Sequence, residues 1–350
     1  MLSKRQVITA IVFWLLVFGA FVILTGPDEF RGNIDAISYE ELAVMLVAVG
    51  AGVVSMGLCL YVLARNLGLG LSAVESVFLN TAVSLAHNLT PLGQAGGIPV
   101  GAAIVSMRST SRYEEILAAL SMKDIVSFVP AILVFVFVGP YLLLVEQSIP
   151  GPIRPFLGAF SLFVVLICVL VFAVNRNSAT AHRLLQRIAA AVNRTVARLP
   201  YVPALDADEL ERRLDDFSDS LGDLASDRTT VVLATAGATG SFLAQGTLVW
   251  LTFAAIGAEI PLALAIFSVP VSLLASGLPL PGGTGGVEAV QITVITVFVG
   301  VGTGSATTAV VLSRGLVFWT PIVLGTLTLL ALNLQRRRAG GPSEQPDEST

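Results

Sequence analysis

Long apolar runs separated by short polar stretches make up most of the chain. A run of about 20 apolar residues is long enough to cross the hydrocarbon core of a bilayer as a helix. The pattern therefore predicts six full membrane spans, over residues 7–24, 42–64, 116–145, 156–174, 231–256 and 306–334. The polar stretch between the first two spans is predicted to be an acidic loop that contains Pro27, Asp28 and Glu29.

Two further apolar regions are broken by proline and glycine. Residues 83–99 read VSLAHNLTPLGQAGGIP and residues 271–288 read VSLLASGLPLPGGTGGVE. Lipid cannot hydrogen-bond a broken backbone, so such a stretch is tolerated at membrane depth only where protein or a water-filled cavity surrounds it. The flanking apolar segments are short for a span. We therefore predict two helical hairpins that dip into the membrane and return, formed by 71–89 with 98–107 and by 261–277 with 287–301.

The positions of Lys and Arg near the span ends predict the orientation of the chain. With the N-terminus inside, only Arg31 and Arg154 fall outside, while Lys123 and Arg314 remain within the membrane. This separation requires six spans plus two hairpins that each return to their own side. It predicts a multi-pass protein of the plasma membrane with both termini cytoplasmic. The first hairpin would open to the cytoplasm and the second to the exterior.

The same arrangement of spans and hairpins divides the chain into two similar units, residues 42–145 and 231–334, which begin on opposite sides of the membrane. Inverted repeats with broken helices near the bilayer midplane are a recurrent design of secondary transporters. The predicted fold class is an all-α polytopic membrane protein, with six full spans and two re-entrant hairpins in inverted-topology repeats. This transmembrane domain would occupy residues 1–335.

Residues 175–228 form the one long polar segment. Its first part is rich in Arg and has apolar residues at helical spacing, which fits an amphipathic helix on an anionic membrane surface. Its acidic second part, residues 206–227, also has helical spacing. We predict a cytoplasmic amphipathic helical insert; the alternative is a solvated linker hairpin without its own activity. The tail, residues 336–350, is predicted to be disordered.

The composition excludes a soluble domain, since 13% of the residues are charged, against about 25% in soluble proteins. Cys59 and Cys168 lie within apolar runs and are interpreted as small core residues, so we expect no metal site and no cofactor. The motifs GK[ST], HExxH and GxSxG are absent. The chain is therefore predicted not to be an enzyme, and no nucleic acid partner is expected.

Lys123 and Arg314 occupy similar places in the two units, where a cation facing lipid is costly. Glu288 is a candidate counter-ion for either, whereas Asp124 points about 100° away from its neighbour Lys123 and is predicted to be a poor partner. Two interpretations remain open. The charges form buried ion pairs that fix packing, or they line a cationic cavity that binds an anionic headgroup from both repeats.

The glycines of both breaks allow close backbone approach, and a helix that begins near Val287 would direct free N–H groups at an anion. The same glycines also permit tight helix packing without a ligand. His87 is interpreted as a hydrogen-bonded packing group in preference to a proton relay. Besides the three charged residues, the predicted lipid-headgroup site comprises Pro91, Gly96, Gly97, His87, Asn88, Pro279, Pro281, Gly282, Gly283, Gly285, Gly286 and Gln291.

The motif P-x-P-G-G-x-G-x-x-E, with Pro279, Pro281, Gly282, Gly283, Gly285 and Glu288, resembles that of the flippase-like family. This is the family of the lysylphosphatidylglycerol synthase transmembrane region, found also as the membrane half of some archaeal lipid glycosyltransferases. The resemblance covers roughly residues 5–335. It implies a polytopic domain that translocates or holds anionic or aminoacylated lipids. Because the chain carries neither a soluble aminoacyl-transfer domain nor a glycosyltransferase domain, we expect translocation or lipid binding without synthesis.

Three functions follow as expectations. The first is translocation of an anionic lipid or a polyprenyl-linked intermediate across the membrane, with Lys123 and Arg314 at the headgroup. The second is a membrane scaffold that partners a separate glycosyltransferase or synthase through residues 175–228. The third is an integral-membrane enzyme that acts on a lipid phosphate with Glu288 as general base.

Overall fold

The computed structural model describes residues 4–90, 94–144, 158, 162, 207–273, 275 and 283–339. Within these ranges the chain is helical and contains no strand. The helices are α1 Lys4–Thr25, α2 Pro27–Asp35, α3 Tyr39–Asn66, α4 Ala73–Leu89, α5 Gln94–Val105, α6 Tyr113–Val126, α7 Phe128–Leu133, α8 Gly139–Leu144, α9 Ala207–Ser226, α10 Arg228–Ala255, α11 Leu262–Leu273, α12 Gly286–Val299 and α13 Thr303–Ala339. A π-helical turn, Val134–Val138, joins α7 to α8.

Four segments in the described ranges are long and apolar enough to cross a membrane: Tyr39–Asn66, Tyr113–Leu142, Arg228–Ala255 and Thr303–Gln335. The bent pair of α1 and α2 would make a fifth. The predicted span over 156–174 and the Arg-rich part of the insert fall almost entirely outside the described residues, as does the tail beyond Ala339. The all-helical membrane architecture is therefore confirmed, while the number six stays a prediction.

Two details differ from the prediction. The expected acidic loop contains the helix α2, because Pro27 presets the first helical turn and Asp28 and Glu29 favour a helix N-terminus. The segment predicted as one helix over 116–145 is instead interrupted at Ser127 and again by the π-helical turn. Pro130 lies just after the first interruption, where its missing N–H weakens a continuous helix.

The two 28-residue helices α3 and α10 pack antiparallel at the centre of the fold. The side-chain amide of Asn66, at the end of α3, donates to the Asp227 carboxylate (2.9 Å) and to the Thr230 hydroxyl (3.1 Å) at the start of α10. Gly237 allows close approach, since a Cβ atom there would lie 2.8 Å from the carbonyl oxygen of Ser55. Helices that cross in opposite directions therefore form the scaffold on which both hairpins pack.

The first hairpin, α4 with α5, returns to the side from which it starts. Arg108, after α5, donates from Nε to Glu75 in the first turn of α4 at 2.7 Å. The Ser109 hydroxyl donates to the carbonyl oxygen of Leu69, just before α4, at 2.8 Å. These contacts hold the two open ends of the hairpin together. The second hairpin likewise consists of two short apolar helices, α11 and α12, that pack on each other.

The acidic helix predicted over 206–227 is present as α9, and it packs on the start of α6. Arg112 contacts Asp216 at 3.0 Å, and Arg213 contacts Glu114 at the same distance. Two ion pairs of opposite polarity thus hold α9 against the membrane domain. Cys59 is fully buried in an apolar cluster, as the sequence predicts, and Cys168 falls outside the described residues.

Candidate functional site

Glu288 and Arg314 form an ion pair within the second unit. The Glu288 carboxylate accepts from Arg314 Nε at 3.1 Å through one oxygen and from the Gly285 N–H at 2.6 Å through the other. Glu288 is 1% exposed and the Arg314 side chain 18%. Of the two candidate cations for this carboxylate, Arg314 and Lys123, Arg314 is the partner.

The Glu288 carboxylate is the anion at the N-terminus of α12. Gly285 adopts a φ of 94°, which suits glycine, and the helix begins at Gly286. Because the Glu288 side chain accepts the Gly285 N–H, the expectation that this group would be free for an external anion is wrong. Gly283 also has a positive φ, 67°, and is buried. Pro279, Pro281 and Gly282 lie outside the described residues.

Lys123 is 4% exposed in the first unit. Its ammonium donates to Asn80 Oδ1 at 3.2 Å and lies 3.6 Å from Asp124 Oδ1. The prediction that Asp124 is a poor partner is wrong, because the flexible four-carbon stem of lysine folds back toward the next residue despite the angle between their helical positions. Asp124 Oδ2 is buried and makes no hydrogen bond within the described part of the chain.

In the first broken stretch, Gly97 forms a packing contact between α5 and α4. A Cβ atom there would lie 2.7 Å from the Cα of His87, so glycine lets α5 lie directly on α4. His87 Nε2 is buried without a hydrogen-bond partner among the described residues, so the predicted packing bond at this atom is not seen there. Asn88 is half-buried in the last turn of α4, and Gly96 lies within α5. Pro91 falls outside the described ranges.

Two adjoining cavities lie between the units and share Gln245, Leu248 and Val317. The larger one has a volume of about 160 Å³ and the smaller one about 20 Å³. Polar groups from α4, α10, α11, α12 and α13 line the pair: Asn80, Ser84, Ser241, Gln245, Ser272, Gln291, Ser313 and Arg314.

The larger cavity lies at the middle of the membrane domain. It is lined by the central turns of α3, from Ala48 to Met56, and by those of α10, from Ser241 to Leu248. Because both helices are candidate spans of 28 residues, their centres lie near the bilayer midplane. Polar side chains at this depth are costly unless they face each other, water or a ligand.

The predicted charged residues lie at different distances from the two cavities. Arg314 lines the smaller cavity beside Gln291, whose amide donates to the Ser268 hydroxyl at 3.0 Å. Glu288 lies behind Arg314, and Lys123 lies one hydrogen bond behind Asn80. No contact among the described residues joins Lys123 to Arg314, so in this conformation the two cations do not hold one site between them.

Six polar lining residues were missed by the sequence analysis: Asn80, Ser84, Ser241, Gln245, Ser272 and Ser313. Asn80 and Ser84 are four residues apart on α4, as are Ser241 and Gln245 on α10, so the two side chains of each pair share one face. A polar pair at this spacing inside an apolar run is the signal that identifies a helix face turned toward a cavity.

Comparison with known families gives one match that covers most of the chain. Residues 7–325 match the lysylphosphatidylglycerol synthase TM region. No curated protein matches the chain. The match agrees with the motif in the second break and with the apolar spanning helices. This multi-pass membrane protein therefore belongs to the family of the lysylphosphatidylglycerol synthase transmembrane region.

Proposed function

We propose that this protein moves an anionic lipid or lipid-linked intermediate across the membrane. The observation that carries the proposal is the polar cavity at the middle of α3 and α10, together with the adjoining smaller cavity that Arg314 lines. A structural protein of the bilayer has no need for amide, hydroxyl and guanidinium groups around an empty space at this depth. A headgroup in transit needs such groups, because they replace its hydration.

The packing of the two units supports an inverted repeat. Gly57 in α3 follows the first residue of its helix by 18 positions, and so does Gly246 in α10. A Cβ atom at Gly57 would overlap the Cα atom of Val77, and one at Gly246 would lie 2.8 Å from the Cα of Ile266. Val77 and Ile266 occupy the same place, the fifth residue, in the first helix of their hairpins. Since α3 and α10 run antiparallel, this shared packing position supports the proposal that the units that follow them are related by inversion.

In this mechanism Arg314 binds the phosphate and the neutral side chains bind the rest of the headgroup. Arg314 uses Nε for Glu288, and its two terminal nitrogens make no hydrogen bond to the described residues. Those two nitrogens are the fork that suits a phosphate. Glu288 holds the guanidinium in place.

The cavities are smaller than the roughly 300–1,000 Å³ of usual ligand sites. In the proposed mechanism the units therefore move apart to admit a headgroup. Pro321 lies within α13 and lines the larger cavity, as does Val317. Proline has no N–H to donate to the carbonyl oxygen four residues earlier, so α13 is weakest at the cavity.

The arrangement argues against the general-base role for Glu288. Both of its oxygens accept hydrogen bonds, one from a cation, and this blocks their access to a substrate proton. The carboxylate is better suited to orienting Arg314.

The test is leaflet exchange in vesicles that contain the purified protein. The double variant Glu288→Gln/Arg314→Gln removes the cation without leaving an unpaired buried charge. We expect it to slow exchange of labelled phosphatidylglycerol or polyprenyl-phosphate sugar about 10- to 100-fold, since a hydrogen bond to a charged group contributes about 1.5–3 kcal/mol. Arg31→Gln, which removes an exposed ion pair with Asp35, is the matched control and should exchange lipid normally.

Exchange by the double variant at the rate of the unmodified protein would contradict the role of Arg314. Vesicles in which the unmodified protein gives no exchange of any of these lipids would contradict transport itself and favour a scaffold.

A further inference from the structure

A groove separate from the central cavities lies between the first half of α4 and the last turns of α13. Its volume is about 360 Å³. Apolar side chains from both helices line most of it: Val74, Phe78, Leu79, Leu324, Leu327 and Ala331. Val74, Phe78 and Leu327 are also exposed, so the groove opens on the outer surface of the helix bundle.

The groove lies within the depth of one leaflet. Its lining on α13 extends from Leu324 to Gln335, which is about 16 Å along a helix at 1.5 Å per residue. In the sequence Gln335 is followed directly by three arginines, which favour the membrane surface, so we place the start of the groove near the surface and its end near the midplane. One leaflet of the hydrocarbon core is about 15 Å thick. The length of the groove therefore matches that of an acyl chain in this leaflet.

The surface end of the groove is polar and basic. Arg108 and Glu75 form an ion pair there, and the Arg108 side chain remains 44% exposed. The pair uses Nε and one terminal nitrogen of Arg108, both directed at the same carboxylate oxygen. In the sequence, Gln335 is followed directly by Arg336, Arg337 and Arg338. By sequence this is a basic segment at the end of a span, and basic residues next to a span attract anionic lipids.

We infer that the groove is a binding site for one anionic phospholipid, which places an acyl chain between α4 and α13 and its phosphate at Arg108. An apolar groove that opens into a bilayer is filled by lipid, and the basic end selects which lipid. The site shares no lining residue with the central cavities, and it needs no transport to be occupied.

The test counts lipids bound to the purified full-length protein by native mass spectrometry, during titration with phosphatidylglycerol or phosphatidylcholine. Ala331→Trp fills the groove, and Leu330→Trp places the same side chain on the neighbouring exposed position. We expect Ala331→Trp to lose one tightly bound phosphatidylglycerol and Leu330→Trp to retain it. Arg108→Gln should weaken phosphatidylglycerol binding about fivefold, which corresponds to about 1 kcal/mol for one arginine at the surface, and should not change phosphatidylcholine binding.

Equal retention of phosphatidylglycerol by Ala331→Trp and Leu330→Trp would overturn the inference, as would equal affinity of the unmodified protein for both lipids. Arg108 is at the surface, so its variant reports on the site even if the tryptophan disturbs the fold. The variant Glu288→Gln/Arg314→Gln should keep the groove lipid. Loss of the groove lipid in the binding experiment can therefore be told apart from loss of leaflet exchange in the vesicle experiment.

Discussion

The effect of Glu288→Gln on stability should change sign when Arg314 is also replaced: it should destabilise the unmodified protein and stabilise the Arg314→Gln protein. Arg314→Gln leaves the Glu288 carboxylate, 1% exposed, without its cation. Removal of one partner from a buried ion pair costs about 3–5 kcal/mol, because the remaining charge stays desolvated. Glu288→Gln should cost less. Arg314 keeps access to the smaller cavity, and Gln at this position can still accept the Gly285 N–H as part of the helix cap.

The double variant removes both charges and should be more stable than Arg314→Gln alone. Replacement of a whole buried pair by neutral residues is often close to neutral, so we expect the second substitution to restore about 2–3 kcal/mol. Cys59 is fully buried, so in a Cys168→Ala background its reaction with a maleimide dye reports the unfolded fraction during titration with SDS. If Glu288→Gln destabilises the Arg314→Gln protein as much as it does the unmodified one, the two side chains are energetically independent and the argument fails.

Two further predictions concern packing and pH. Gly57→Ala should destabilise the protein by about 1–3 kcal/mol, because its Cβ would overlap Val77. Gly50→Ala, on the open face of the same helix, should instead stabilise the protein by about 0.5–1 kcal/mol. The same SDS titration measures both. The hydrogen bond from the Thr230 hydroxyl is the main cause that lowers the pKa of Asp227 in the fold. The ionised Asp227 carboxylate therefore stabilises the fold fully above its unfolded pKa of about 3.9, and this stabilisation is lost as the pH falls through its lower pKa in the fold. The difference in melting temperature from Asp227→Asn should disappear at that acidic end, and a difference that persists there would contradict this cause.

The broken hairpins could be predicted from the sequence, because proline and glycine in an apolar run have few permitted environments in lipid. The ion pair of Glu288 could be predicted for the same reason, since buried charges need partners. Apart from Gln291 and Arg314, the polar lining of the cavities could not be predicted. In a soluble helix the polar face is the outer one, but in a membrane helix lipid and protein interior are both apolar, so the sequence does not tell which face points inward. Only the i, i+4 pairs such as Asn80 with Ser84 carry that information.

The contact between Lys123 and Asp124 was missed for a different reason. Helical geometry fixes the direction of each Cβ, while the end of a lysine side chain is set by the dihedral angles of its stem and by neighbours such as Asn80. The helix α2 was missed because a mostly polar segment of nine residues has no apolar period to detect. Its proline and acids were read as loop residues although they also start helices.

The pairing of each intramembrane cation with a carboxylate has an electrical consequence. The formal charges of Lys123 with Asp124 and of Arg314 with Glu288 sum to zero, so in the proposed transport cycle the protein without lipid would change conformation without moving charge through the membrane. With a headgroup of one negative charge bound, the same change would move that charge, at about 2.3 kcal/mol per 100 mV. A membrane potential that is negative inside would then drive the anionic headgroup outward, while the return of the empty protein would be independent of voltage.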